Sequence, residues 1–134
     1  MKRLSIAIAA GLVLGGCSMG ADVKAGGDAV AAFHKQLDAG QSAAIEAAAG
    51  PEMKTTPGQF IQLLDAVHRK LGASGASQQV GFNDAVNPGG HFLTLNYQTT
   101  FAKGPATETF VYRIDGGKAV LAGYNINSQA LILN

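Results

Sequence analysis

One carboxylate in the second half of this chain has surroundings that acid–base chemistry needs. Glu108 and Tyr112 lie in a run of alternating residues, and a period of two places them on one face of a strand. Tyr97 and Tyr124 fall on the matching face of two neighbouring predicted strands. A carboxyl group shielded among tyrosine hydroxyls can act as a general base. These four residues therefore form a candidate ligand pocket, or the site of an enzyme that uses Glu108 as a general base.

A structural role accounts for the same residues. In this interpretation Glu108 stands at a strand end near the sheet rim and reaches water beside Lys103, while the tyrosines are core rings. A non-enzymatic protein of this kind is expected to keep nearly all of its stability when Glu108 is replaced by glutamine. A measured loss of turnover would favour the enzyme instead.

Other chemically active residues are scattered. His34, His68 and His91 are far apart, and no two of them have the i, i+4 spacing of a helical metal site. The sequence contains no Gly-X-Ser-X-Gly motif and no phosphate-binding glycine loop. We therefore expect no catalytic triad, no metal site and no cofactor.

The single cysteine, Cys17, follows a short apolar segment. Two basic residues precede an apolar run over residues 4–13, and Gly15-Gly16 leads directly to the cysteine. A membrane-spanning helix needs about 20 apolar residues, so this run is too short to span. The segment resembles a bacterial lipoprotein signal, which implies cleavage after residue 16 and a lipid on Cys17. By the same resemblance, Ser18 favours the periplasmic face of the outer membrane.

Removal of this leader changes the charge balance. The remaining 118 residues carry eight basic and nine acidic side chains, a formal charge of −1. A nucleic-acid-binding surface needs a basic stripe, and the sequence has none. With Cys17 lipidated, no thiol remains for a disulfide, a metal or a nucleophile. A chain of this length can nevertheless fold as one domain around a hydrophobic core.

Helical periodicity dominates the first half of the chain. Residues 17–27 are small and glycine-rich, so we interpret them as the lipidated cysteine and a flexible tether, followed by one domain over residues 28–134. Apolar residues then recur at helical spacing between capping residues and glycines. Three helices are predicted, from Asp28 to Gly40, from Ala43 to Ala49, and from Thr56 to Gly72.

After Gly72 the period changes to two. The alternation is one-sided, which predicts a four-stranded antiparallel meander with one wet face and an α+β fold with the helices on the other face. Loops are predicted at Lys103–Ala106 and Asp115–Gly117. These loops pair three rows of inward residues: Tyr97 with Tyr112 and Val120, Thr99 with Phe110 and Ala122, and Phe101 with Glu108 and Tyr124.

The predicted outer face is almost uncharged. Val111, Arg113 and Leu121 lie among threonine, asparagine and glutamine residues, a composition that suits a partner-binding surface. The last strand, with Leu131–Leu133 included, is also expected to offer an edge for pairing with another chain.

Helices followed by a meander resemble the cone-shaped fold of nuclear-transport-factor-two-like and cystatin-like domains. The segments Phe60–Gly72, Ala106–Phe110 and Gly123–Ser128 also resemble a family of small bacterial lipoproteins that carries a domain of unknown function. The resemblance covers about residues 28–132 and implies a fold but no reaction. Our leading hypothesis is a lipid-anchored periplasmic domain that binds a partner protein or a small apolar ligand. The alternative that the resemblance implies is a small periplasmic cone-fold enzyme, isomerase- or hydrolase-like, that uses Glu108 as a general base.

Overall fold

The computed structural model describes residues 16–133, with side chains described from residue 19 onward. Most of the predicted leader, residues 1–15, and the side chain of Cys17 lie outside this part of the chain. Among the described residues, no helix combines the length and the apolar character needed to cross a membrane.

The protein is an α+β domain in which three helices precede a four-stranded antiparallel sheet in the order β1-β2-β3-β4, as predicted. A 3₁₀ helix over Pro51–Lys54 joins α2 to α3, and a short α4 follows the sheet. The residues predicted to extend the last strand, Leu131–Leu133, belong to α4 instead. The bounds are α1 Gly16–Asp38, α2 Ser42–Ala48, α3 Gln59–Leu71, β1 Ser74–Asn87, β2 Gly90–Phe101, β3 Gly104–Asp115, β4 Lys118–Asn127 and α4 Gln129–Leu133.

The predicted tether is wrong, because α1 begins at Gly16 and not at Asp28. The buried side of this helix continues towards its start through Asp22 and Gly26 to Val30, at spacings of four residues. Gly26 is where the helix approaches the sheet most closely: a Cβ there would lie 2.8 Å from side-chain atoms of both Leu93 and Leu95. The glycines that suggested flexibility thus permit close packing.

The close packing of α1 on the sheet at Gly26 leads to a prediction for glycine-to-alanine substitutions in this helix. Gly20→Ala is expected to raise the free energy of unfolding by up to about 1 kcal/mol, because alanine is the better helix former and nothing lies within 4 Å of its new Cβ. Gly26→Ala gains the same propensity but forces its Cβ against Leu93 and Leu95, and overpacking costs about 1–3 kcal/mol. Urea unfolding should therefore place Gly26→Ala below Gly20→Ala. Equal stability of the two variants would show that α1 does not pack tightly at Gly26.

The second and third helices lie close to their predicted positions, with one difference at a cap. Thr56 was predicted to cap α3, but the helix starts at Gln59 with Gly58 as its N-cap residue. Gly58 has φ 78°, in the left-handed region that favours glycine. Pro57-Gly58 therefore makes a turn before the helix rather than its first residues.

The hairpins are tighter than predicted. Both loops have two residues, since Phe101 pairs with Gly104 and Asp115 pairs with Lys118. The predicted rows are consequently wrong by four residues between β2 and β3: Tyr97 pairs with Glu108, not with Tyr112. A shift by an even number keeps the same residues on the inner face. Glu108 and the tyrosines therefore still face the helices.

The β3–β4 pair reaches the same facing by another route. Compared with the predicted three-residue loop, a two-residue loop reverses which residues of β4 face the helices. A bulge opposite Val111 and Tyr112 adds one residue to β4 and restores the predicted facing for the part of the strand beyond it. Tyr124 and Ile126 face inward beyond the bulge, as predicted. On the loop side of the bulge Leu121 faces inward, and it is 7% exposed. Its predicted place on the outer face is wrong.

Candidate functional site

Glu108 lies at the centre of the core. Its side chain is fully buried, between the inner face of the sheet and helix α1. Its position on β3 follows from the strand period, because Ala106, Phe110 and Tyr112 on the same face are also buried. The predicted inward orientation of Glu108 is confirmed, and its predicted place at a solvent-reaching rim is wrong.

Three side chains donate hydrogen bonds to this carboxylate. The Thr99 hydroxyl lies 2.6 Å from Oε1 and the Tyr124 hydroxyl lies 2.6 Å from Oε2. His34 Nε2 lies 2.7 Å from Oε1, so this nitrogen carries the proton when Glu108 is ionised. A second hydroxyl, that of Ser77 on β1, lies 2.8 Å from that of Thr99 and extends the chain of hydrogen bonds towards the surface.

Aromatic rings enclose the buried network. The His34 ring makes edge contacts with Phe101 and Phe110, at centroid distances of 6.2 and 5.9 Å. Phe33 packs against Tyr124 at 4.8 Å. Burial, reinforced by the neighbouring Glu108 carboxylate, raises the pKa of the Tyr124 hydroxyl well above its usual value. Tyr124 therefore remains a hydrogen-bond donor at neutral and mildly alkaline pH.

The other two predicted tyrosines are also core residues. Tyr97 and Tyr112 are 8% and 3% exposed. Burial raises the pKa of both hydroxyls; for Tyr112 the charges of Tyr97 and Glu108 add to the effect. Tyr97 contacts Gln79 on β1 at 3.4 Å, which is long for a hydrogen bond.

The four predicted residues share the inner face but do not line one cavity. Tyr124 borders a groove of about 320 Å³ between α3, the 3₁₀ helix and β4, which is lined by Met53, Phe60 and Leu63. Tyr112 borders a separate groove of about 260 Å³ beside α1 and α2. Glu108 lines neither groove. A substrate could reach its carboxylate only by displacing the donors that already surround it.

The predicted partner surface is divided by the observed fold. Leu121 is in the core, while Val111 and Arg113 are half-buried on the other side of the sheet. The Arg113 guanidinium forms an ion pair with Glu52 and lies over the Phe92 ring, 5.2 Å from its centroid. Arg113 is therefore engaged within the domain, where it attaches the 3₁₀ helix to the sheet.

An exposed apolar surface lies elsewhere, on strand β1. This strand is at the edge of the sheet and pairs with β2 alone. Val80, Phe82 and Val86 are 55%, 49% and 78% exposed. The opposite edge, at β4, is partly covered, because the backbone N–H of Gly50 donates to the carbonyl of Leu121 at 2.8 Å. Of the two edge strands, β1 is thus the more open one.

One of the scattered histidines gains carboxylate neighbours in the fold. His91 Nε2 lies 2.5 Å from Asp84 Oδ1 and 3.5 Å from Asp22 Oδ2. Asp22 is on α1, Asp84 on β1 and His91 on β2. Sequence spacing did not reveal this cluster, because its members are brought together only by the docking of α1 and the β1–β2 register.

Sequence reasoning also missed the partner of Glu108. His34 follows Phe33 and is spaced at i, i+4 from Val30, so the helical period already placed it on the buried face of α1. A buried histidine opposite a buried carboxylate was therefore a detectable signal.

Comparisons with family models, curated proteins and solved structures returned no match.

Proposed function

We propose that this chain is a lipid-anchored domain of the bacterial cell envelope that binds an extended segment of a partner protein along the free edge of β1. The observation that carries the proposal is the 14-residue edge strand with its exposed apolar side chains. An open edge presents unpaired N–H and C=O groups, which an added strand can satisfy.

The composition of β1 supports strand addition. Natural edge strands are usually short, or protected by lysine or proline, because an unprotected edge pairs with other chains. Residues 74–87 contain neither lysine nor proline, and Asp84 is their single charged residue. Asp84 points to the inner face, where it contacts His91. The backbone edge of β1 therefore lacks lysine and proline, and its pairing with β2 is regular over residues 81–87, beyond the register shifts at Ser74/Ser77 and Gln79/Gly81.

The geometry of Glu108 favours a binding protein over the enzyme alternative. A general base must come within about 2.6–3.2 Å of the proton that it removes from a substrate. The Glu108 carboxylate is fully buried, and both of its oxygens accept hydrogen bonds from the protein. In this arrangement the carboxylate orders the core.

A small apolar ligand is the second candidate, and the groove beside Tyr124 favours it. Its volume of about 320 Å³ reaches the lower end of the range for small-molecule pockets, roughly 300–1,000 Å³. Met53, Phe60 and Leu63 supply its apolar wall, and Thr55 and Thr56 supply polar groups.

The membrane anchor is proposed from the leader and Cys17. Because α1 starts at Gly16, Cys17 is part of the helix that packs on the sheet, so a lipid on Cys17 would hold the domain close to the bilayer. Several acyl chains make such anchoring lasting, since each buried CH₂ contributes about 0.8 kcal/mol. The absence of an Asp after the cysteine is consistent with the periplasmic face of the outer membrane.

The anchor predicts a complete loss of lipid in one variant. Cys17→Ser is expected to stay uncleaved and to take up no fatty acid in cells fed a labelled acid, whereas Ser18→Ala is expected to be labelled normally. Mass spectrometry of the amino terminus checks both results. An intact, unmodified amino terminus on the wild-type chain, or normal labelling of Cys17→Ser, would refute the anchor.

The β1 surface is tested by site-specific crosslinking in cells from the position of Phe82, with the position of Thr107 as the reference.

A further inference from the structure

Two carboxylates and one imidazole converge near the start of α1. The ligand atoms of Asp22, Asp84 and His91 all lie within 4.8 Å of one another. Asp84 pairs with Leu93, and His91 pairs with Val86. Asp84 and His91 therefore share the inner face of the β1–β2 hairpin, and α1 brings Asp22 onto them.

The cluster carries an unbalanced charge in a nearly buried place. The side chains of Asp22 and Asp84 are 10% and 13% exposed. Within residues 19–133, each of these carboxylates forms an ion pair with His91 alone. Even a protonated imidazole could balance only one of two carboxylate charges, and buried charges are costly unless they are paired.

The Asp22 carboxylate is the decisive member of the cluster. Its side chain is nine-tenths buried and points at His91 Nε2, but the separation is 3.5 Å. That distance is longer than an ordinary N–H···O hydrogen bond of about 2.7–3.2 Å. The same nitrogen is already 2.5 Å from Asp84. A single His91 proton therefore serves Asp84, and Asp22 is directed at the same point without a normal hydrogen bond to it.

We propose that Asp22, Asp84 and His91 bind a divalent transition-metal ion, with Zn²⁺ as the best match. Imidazole nitrogen and carboxylate oxygen are zinc ligands at about 2.0–2.2 Å, and tetrahedral geometry then puts neighbouring ligand atoms about 3.3 Å apart. The two separations from His91 Nε2, 2.5 and 3.5 Å, bracket this value, and all three ligand atoms lie within 4.8 Å of one another, so side-chain movements of about 1–2 Å suffice. Two carboxylates and a neutral imidazole give an electrically neutral site with a divalent ion.

The bound ion would connect three elements at one end of the domain. It would attach the first turns of α1 to β1 and β2, about 8 Å along the helix axis from Cys17 at 1.5 Å per residue. A water molecule would complete the coordination, since three protein ligands leave the fourth tetrahedral position open. This site is distinct from the Glu108 network and from the exposed edge of β1.

The test is metal titration of the full chain, purified in detergent and freed of metal with a chelator. Calorimetry with ZnCl₂ is expected to show one equivalent bound and a higher melting temperature, while MgCl₂ binds far more weakly because Mg²⁺ prefers oxygen ligands. Asp84→Asn and His91→Ala should each weaken zinc binding by at least about 100-fold, since loss of supporting second-shell groups alone costs 10–100-fold. Asp115→Asn, at the exposed end of β3, makes the same charge change as Asp84→Asn and should bind like the wild type.

A second measurement separates loss of a ligand from loss of the fold. Without metal, Asp84→Asn should be at least as stable as the wild type, because it removes one of two facing carboxylates. Absence of zinc binding by the wild type overturns the proposal. Unchanged zinc affinity in Asp84→Asn and His91→Ala also overturns it, as does loss of binding in Cys17→Ser, which would place the ion on an unlipidated Cys17 thiol.

Discussion

Glu108→Gln is expected to lower the free energy of unfolding by about 2–4 kcal/mol, because the amide cannot accept all three donors that surround the carboxylate. If the amide oxygen faces His34 and Thr99, the NH₂ group meets the Tyr124 hydroxyl, whose own hydrogen then loses its acceptor. The reverse orientation places the NH₂ group against His34 and Thr99. That orientation is satisfied only if His34 changes tautomer and Thr99 turns its hydrogen towards Ser77, so either orientation breaks or rearranges the hydrogen bonds of a site with no exposed surface.

Urea unfolding at neutral pH measures this effect, with Asp115→Asn as a control that also removes one negative charge. Asp115 is exposed at the end of β3, so its change is expected to stay within about 0.5 kcal/mol. A loss below about 1 kcal/mol in Glu108→Gln would contradict the buried network. The sequence alone led to the opposite expectation, of nearly intact stability, because it allowed Glu108 a place at the rim. The structural role also means that loss of a turnover in this variant would not by itself identify a catalytic base.

The double variant Val80→Lys, Phe82→Lys is expected to weaken partner binding at least about tenfold, or about 1.4 kcal/mol. Strand addition would place these two side chains beside the partner's strand, where an added positive charge must give up water. Both positions are about half exposed in the free domain, so the melting temperature should change little. Binding of the crosslinked partner, measured by calorimetry, checks the affinity, and thermal unfolding checks the fold.

Thr107→Lys provides the matched control, because Thr107 is an exposed strand residue on β3, in the interior of the sheet. It adds the same type of charge without touching the free edge. Equal weakening by Thr107→Lys would point to a general charge effect. Full affinity in the double variant would show that the partner does not bind at β1.

The periodicity of the sequence predicted side-chain orientation best in elements that have one buried face. The alternation of Phe110 and Tyr112 placed Glu108 on the inner face correctly, because a strand's side-chain period of two tolerates a register error of four residues. Leu121 was misplaced because a bulge changes the facing within a strand, and nothing in the local sequence marks it apart from Gly123. A Cβ at Gly123 would lie 3.1 Å from that of Val111.

Composition misled the prediction at the start of α1. Gly26 and Gly27 lower helix propensity, so the segment was interpreted as a tether. Tertiary packing outweighs that cost, because the missing side chain lets the helix approach Leu93 and Leu95. The contacts of Asp22, Asp84 and His91 depend on this same docking. They could not be predicted from a sequence that was interpreted as having a flexible start.

The proposal of partner binding at the free edge of β1 is tested most directly by photo-crosslinking from that edge in living cells. A photoreactive phenylalanine analogue replaces Phe82 in one full-length chain and Thr107 in another. We predict one discrete adduct from position 82, its loss when Val80→Lys is added, and no adduct from position 107. Adducts from position 107 together with none from position 82 would contradict the account.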